Sequence, residues 1–517
     1  MLIDLLIVLV YFITIFIVAL SGRMGKDVTT EEYFLSSRNL RWYSVAISTI
    51  ATNVQGYQFL GFMGSAYLYG LAQGNLEINA IQGLWMAAFI FIPLYLKDKV
   101  ITVTQFIKNR LGTTASLFYS ISNIVLFSTV ALGGALFWGA YAADLVFGDY
   151  LSFIHEDRTI RAGILLAGLG IFSAIYTYLG GLAAVVKTDL IQFAIIVGGS
   201  IVVLVATMSH FGGWGELYRQ TPELMHLHLP ADHPQLPWIA VFGWFLLNIN
   251  YWCANQSVVQ RSLAARSLKE AQIGLMVGGI LKYVMAVLII IPGIALAGIL
   301  ADNPLQDPDQ TFPYLVTNYL PLGARGLILC ALFASLMSTV DSTFNSLATL
   351  WSVDIYKGYI NKNATDQQMV AAGRQTILVT LFTGVGMGLI LLYSKFSAVE
   401  VAFTHTLNEL RYYIITGIVV LICVAGFVLK PNYRLVIIGF ISTFFSHLSL
   451  QYLFPDMNYF VRASLVIGIG FLIIAIPAIF TKGMRPLKDT YQSASPQLTL
   501  AGIALLVSLV ALHIIFH

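Results

Sequence analysis

Three hydroxyls within one apolar stretch could hold a cation. The stretch reads Ala334-Ser335-Leu336-Met337-Ser338-Thr339. Positions 335, 338 and 339 are three and four apart, so their oxygens share one face of a helix. A hard cation such as sodium takes several oxygens, and hydroxyls with the carbonyls of an unwound helix can supply them without a full counter-charge. The same residue types also serve hydrogen bonding between helices packed through small side chains. Spacing alone leaves both readings open.

Ionisable residues also stand within apolar runs: Glu77, Asp189, Lys282, Asp341, Glu409 and Arg411. Such groups are costly inside a bilayer and are usually functional, unless they pair with one another or snorkel to a headgroup. Two further runs are broken by polar residues. One carries Ala51, Thr52, Asn53, Val54, Gln55, Gly56, Tyr57 and Gln58; the other carries Asn248, Asn250, Tyr251, Trp252, Asn255 and Gln256. Interrupted segments at matching places in two halves of a chain point to the binding site of a transporter.

The elements that must position these residues follow from composition. Of 517 residues, 58% are hydrophobic and 10% are charged, against about 25% charged in a soluble domain. Apolar runs of helical length recur from end to end, which predicts an all-α polytopic membrane protein. Each span must be helical, because hydrocarbon cannot satisfy an open backbone. Spans are expected near 2–21, 41–66, 76–96, 113–147, 160–179, 188–208, 237–257, 270–300, 324–352, 370–394, 399–427, 433–454, 459–480 and 498–516, about fourteen in all. The first has neither a basic leader nor a clear cleavage site, so it reads as a retained span rather than a secretory signal.

Loop charge tests that count. Alternate connections hold twenty of the 28 basic residues, from Arg23 and Lys26 through Arg261 to Lys482 and Lys488, and the opposite connections hold six. The asymmetry puts the first set in the cytoplasm and both termini outside a plasma or inner membrane. Residues 41–208 and 237–427 would then form halves of five spans, each opening on an interrupted one. An odd number per half forces opposite orientations, which is an inverted repeat. Residues 1–40 read as a peripheral helix and cytoplasmic loop, 209–236 as an extracellular loop, and 428–517 as peripheral helices.

Other classes are disfavoured. A net charge of +3 gives no sign of nucleic-acid binding, and Cys253, Cys330 and Cys423 lack metal-type spacing. His226, His228 and His233 share the long outer loop, as metal ligands or as interfacial histidines. The spans contain no paired catalytic motif, which argues against an enzyme, and no signalling domain is appended, which argues against a sensor.

At these residues the sequence resembles the sodium/solute symporter family, most closely its sodium/glucose (galactose) cotransporter branch. The resemblance runs from Glu32 to Tyr356 through Glu32-Tyr33-Phe34-Leu35, Tyr178-Leu179-Gly180-Gly181-Leu182-Ala183-Ala184-Val185 and Thr188-Asp189. It continues in Asn255-Gln256, Gln260-Arg261, Phe344-Asn345-Ser346 and Asp354-Ile355-Tyr356. It implies a LeuT-type core of two inverted five-helix repeats and the symport of sodium with a small polar solute, best a monosaccharide, by alternating access. Non-sugar solutes such as an amino acid, a vitamin or an organic acid are the alternative.

The resemblance also implies roles. The carbonyls of Ala51, Val54 and Ser335 with the hydroxyls of Ser338 and Thr339 would hold one sodium, and Asp189 with the same hydroxyl face a second. Gln58, Glu77, Asn248 and Lys282 fall where the family binds sugar hydroxyls. Tyr251 falls at the stacking inner gate, adjoined by Asn53 and Trp252; Phe62, Leu76 and Phe403 fall at the outer gate. The eleventh span departs from the family by lacking its proline step. There Asn408, one residue out of register, stands for a sugar-contacting glutamine, with Thr404 and His405 as rivals. Asp341 lies outside the pattern. The implied partners are sodium, a small solute and the lipid bilayer.

Overall fold

The computed structural model describes residues 2–22, 25, 27–321, 323–397, 403–481 and 483–517, without the side chains of 403–408, 410 and 487. Apart from three isolated bridges, the regular structure of the described residues is helical. Ten helical stretches among them are long and apolar enough to cross a membrane. Their outward faces expose large apolar side chains, as lipid contact requires; Phe382, Phe480 and Tyr452 are 78, 84 and 88% exposed.

The three longest of these stretches are at least about twice one crossing. Gln58–Lys97 has 40 residues, Val103–Phe147 has 45 and Arg158–Met208 has 51, whereas about 20 residues span the hydrocarbon. A straight helix the length of the last would reach about 77 Å. It turns at Gly181 instead, where φ is 53° and ψ is −146°, a conformation open essentially to glycine alone.

The turn is clamped from one side. A Cβ on Gly181 would run into the carbonyl of Tyr33. The Tyr33 hydroxyl donates to the carbonyls of Thr177 and Tyr178 at 3.2 and 2.9 Å. The short helix Thr30–Leu35 that carries Tyr33 is fixed by a capping box between Thr29 and Glu32. The backbone N–H and hydroxyl of Thr29 hold the Glu32 carboxyl below its ordinary range. Gly181→Ala is therefore expected to cost about 1–3 kcal/mol, read as a lower melting temperature in detergent. An unchanged melting temperature would show that the turn tolerates a side chain.

Both expected interruptions are present, and they share a conformation. Trp42–Asn53 stops at Val54, where φ is −76° and ψ is 112°; the chain becomes helical again at Gly56 and continues through Gln58–Phe62 and Met63–Tyr69. Val241–Ile249 and Asn250–Ala254 stop at Asn255, where φ is −70° and ψ is 115°, before Gln256–Leu263. The Asn255 side chain accepts from the Ser257 N–H at 2.9 Å and starts the second piece.

Helix ends overrun several expected spans, because polar turns continue helices beyond their apolar stretch. The helix expected from residue 113 begins at Val103 and turns at Gly112; the one expected to end at 352 runs on to Ile360. At the centre, Arg158–Met208 packs along Ala324–Thr349, and Leu268–Ile299 along Trp42–Asn53. The second contact is close because Gly274 faces Val45 and the Trp42 carbonyl, which a Cβ would approach to 2.7 and 2.9 Å.

Candidate functional site

The hydroxyl face lies against the first helix break. Ser335, Ser338 and Thr339 are all buried in Ala324–Thr349. The Thr339 hydroxyl is 3.2 Å from two carbonyl oxygens, of Ser335 on its own helix and of Thr52 at the end of Trp42–Asn53. In an unbroken helix the Gln55 N–H would donate to Ala51; here it donates to the Gln58 side chain at 2.7 Å. The last carbonyls of Trp42–Asn53 thus lose helical donors, and they carry the negative end of the helix dipole. The Ser335 hydroxyl is buried with no hydrogen-bond partner among the described residues. Val54, where the helix stops, is fully buried.

Asp189 comes to the same face from the Arg158–Met208 helix. Ser338 donates to its Oδ1 at 2.6 Å, and Ser48 donates to its Oδ2. An Arg261 guanidinium nitrogen stands 3.6 Å from that Oδ2. Arg261 also donates to Ser342, whose hydroxyl lies 2.8 Å from that of Thr52. Asp189, Arg261, Ser48, Ser338 and Ser342 are all 0% exposed, so each must be satisfied within the network.

Arg261 corrects the loop reading. Its charge marks it as a cytoplasmic loop residue in the sequence, yet it is buried beside a carboxylate. Removing it from the loop count leaves the charge asymmetry intact.

One turn beyond the break, the polar side chains expected at a solute pocket meet around Glu77. Its carboxylate accepts from the Gln58 carboxamide and pairs with the Lys282 ammonium. Lys282 also donates to Asn53 at 2.6 Å and lies 5.9 Å from the centre of the Trp252 ring. The Trp252 N–H donates to Asn248 at 3.2 Å, and Asn248 donates to the Asn79 carbonyl at 3.0 Å. The Tyr251 ring stands edge-on to Trp252, with centres 4.9 Å apart. Gln58, Glu77 and Lys282 are each 1% exposed. An ammonium so deep is tolerable only because a carboxylate and a carbonyl oxygen meet it.

Of the expected outer gate, Phe62 packs edge-on against Tyr57 at 5.2 Å, and Leu76 packs on the core beside Glu77. Phe403 lies on the helix Phe403–Phe427 with Thr404, His405 and Asn408, but their side chains fall outside the described residues.

Asp341 and Glu409 find separate partners. Tyr176 donates to one oxygen of Asp341, and the other oxygen is buried without a hydrogen bond among the described residues. Glu409 pairs with Arg462 of Tyr459–Phe480 rather than with its near neighbour Arg411. The loop histidines do not converge as a set: His228 meets His513 at 3.1 Å, while His233 accepts backbone N–H groups of its own loop. Among the described residues no three metal-ligating side chains gather at one point.

The model of the sodium:solute symporter family matches residues 33–391. The sodium/glucose cotransporter of Vibrio parahaemolyticus is 32% identical over 409 residues, covering 73% of each chain. Sodium/glucose cotransporter 4 of Mus musculus is 30% identical over 409 residues, covering 72% of this chain and 58% of that one. The alignment thus spans under two thirds of the longer mouse protein. A solved Na+-coupled sialic acid symporter, in a substrate-bound outward-open state, superposes with a TM-score of 0.80 and 20% identity. It covers 94% of this chain and 99% of its own, a likeness of fold.

Proposed function

The chain belongs to the sodium:solute symporter family, whose members are membrane transporters rather than enzymes and whose co-transported ion is sodium, and on that premise we propose that it couples sodium entry to uptake of a monosaccharide. The observation that carries this reading is the placing of two polar centres on one broken segment. Thr52 meets the hydroxyl face at Thr339, and Gln58, a few positions on, joins the Glu77–Lys282 pair.

On this reading one sodium is held by the carbonyls of Ala51, Val54 and Ser335 and by the hydroxyls of Ser338 and Thr339. It fastens Trp42–Asn53 to Ala324–Thr349 and so fixes the geometry of the segment that carries Gln58. The solute's hydroxyls take over hydrogen bonds that Gln58, Glu77, Lys282, Asn53 and Asn248 make with one another, and its apolar ring face lies on Tyr251 beside Trp252. Phe62, Leu76 and Phe403 close above it, with Asn408 at the same helix. Asp189 is the ligand for a second sodium, in competition with Arg261. Sodium favours the state that binds solute, and by linkage solute favours the state that binds sodium, by the same factor.

The same reading takes the architecture as fourteen spans with two inverted repeats, 41–208 and 237–427. The segments 1–40, 209–236 and 428–517 lie outside that core, and both termini face outward. The matched dihedrals at Val54 and Asn255, each in the opening helix of its half, support the repeat. A panel of unlabelled solutes competing with sodium-driven uptake of labelled hexoses tests the solute class. Sugars should compete, while amino acids, vitamins and simple organic acids should not. Competition by one of those classes and not by sugars would overturn the sugar assignment.

A further inference from the structure

The cations around the solute pocket can be accounted for one by one. Lys282 pairs with Glu77, Arg261 stands beside Asp189, and Arg462 pairs with Glu409. Among the described residues Arg411 has no such partner. It makes no ion pair or hydrogen bond with a described residue, and its Nε is buried unpartnered.

Its position is tied to the pocket. The guanidinium carbon is 5.5 Å from the centre of the Tyr412 ring. The helix Phe403–Phe427 that carries it packs against Asn250–Ala254, the segment that holds Tyr251 and Trp252. Tyr251 is the ring on which the solute is placed. Arg411 therefore stands on the helix that flanks the Tyr251 segment, and the sequence of that helix departs from the family pattern.

A half-buried guanidinium without a counter-charge is costly within a membrane span. Its planar fork matches a carboxylate through two parallel hydrogen bonds, which a lysine cannot reproduce. Lys282 cannot serve an anion equally well, because Glu77 already neutralises it. We propose that Arg411 binds the carboxylate of an acidic sugar, so that the transported solute is a hexuronate-like monosaccharide whose hydroxyls engage Gln58, Glu77 and Lys282. The proposal rests on the solute-pocket reading above and narrows it from sugars to acidic sugars.

The test uses the full chain in proteoliposomes with a sodium gradient. Labelled glucose, galactose, glucuronate and galacturonate are each offered, and each is used unlabelled as a competitor. The uronates should half-compete at concentrations at least about 10-fold below those of the parent hexoses, since a hydrogen bond to a charged group exceeds the step that a factor of ten requires. Arg411→Gln should erase that preference, and Arg411→Lys should restore part of it. The wild-type comparison stands even if a variant fails to fold. Hexoses competing as well as uronates, or a preference that survives Arg411→Gln, would overturn the proposal. Sodium-driven hexose uptake with uronates excluded sinks this inference alone. Absence of sodium-driven uptake for both classes sinks the pocket reading and the proposal with it.

Discussion

Glu77→Gln should abolish solute uptake and destabilise the protein by about 3–5 kcal/mol, the cost of leaving one member of a buried ion pair uncompensated. The substitution keeps the shape and a carbonyl oxygen for Gln58 and Lys282. It removes the charge that meets the Lys282 ammonium at 1% exposure. Lowered melting temperature in detergent is the first readout. The pair variant Glu77→Gln with Lys282→Met separates structure from function. Removing both charges should restore most of the stability, because a buried pair replaced by neutral groups is close to neutral. Uptake should stay lost, because the groups that meet the solute's hydroxyls are gone. A pair variant that regained uptake would show that the two residues serve packing alone. A single variant with unchanged stability and uptake would remove Glu77 from the site.

Thr339→Ala should raise the sodium concentration for half-maximal uptake about 10-fold or more, as expected for one lost hydrogen-bonding group at a charge. The Thr339 hydroxyl lies 3.2 Å from a carbonyl on each of the two helices that sodium would join. Its loss therefore weakens both the ion site and the link to the broken segment. Thr339→Ser keeps the oxygen and should stay near wild type, which guards against a packing explanation. Reciprocity adds a second readout: in Thr339→Ala, saturating solute should lower the sodium requirement by the same factor by which sodium tightens solute binding. Unchanged sodium dependence in Thr339→Ala would remove the residue from the ion site. Ser338→Ala acts in the same direction, but it also frees one oxygen of Asp189 and so is the less clean probe.

The two broken helices were legible because each places a run of polar residues inside an apolar stretch, and the backbone breaks in the structure fall within those runs. The hydroxyl face was legible from spacing, since positions 335, 338 and 339 must share a side of any helix. Its partners were not. Thr52 and Thr339 are 287 positions apart, and Glu77 and Lys282 are 205 apart; periodicity reports which face a residue occupies, never which helix that face meets. Arg261 was misread for a related reason. Charge marks a loop unless a distant carboxylate satisfies it, and Asp189 does so here. Glu409 and Arg411 lie two positions apart, yet Arg462 on another helix takes Glu409. The turn at Gly181 lay inside a recognisable motif, but only the packing of Tyr33 shows why a side chain is excluded there. The sugar-contacting position at Asn408 and the outer-gate Phe403 stay as the resemblance implies them, because their side chains lie outside the described residues.

The central claim is that a sodium gradient drives solute through this chain, and uptake by purified protein in liposomes tests it most directly. Labelled hexoses and hexuronates are offered outside, with sodium outside and potassium inside. The account predicts accumulation above the external concentration for at least one of these sugars, lost when sodium is made equal on both sides or replaced by potassium. Equal uptake of every labelled sugar with and without the sodium gradient would contradict it.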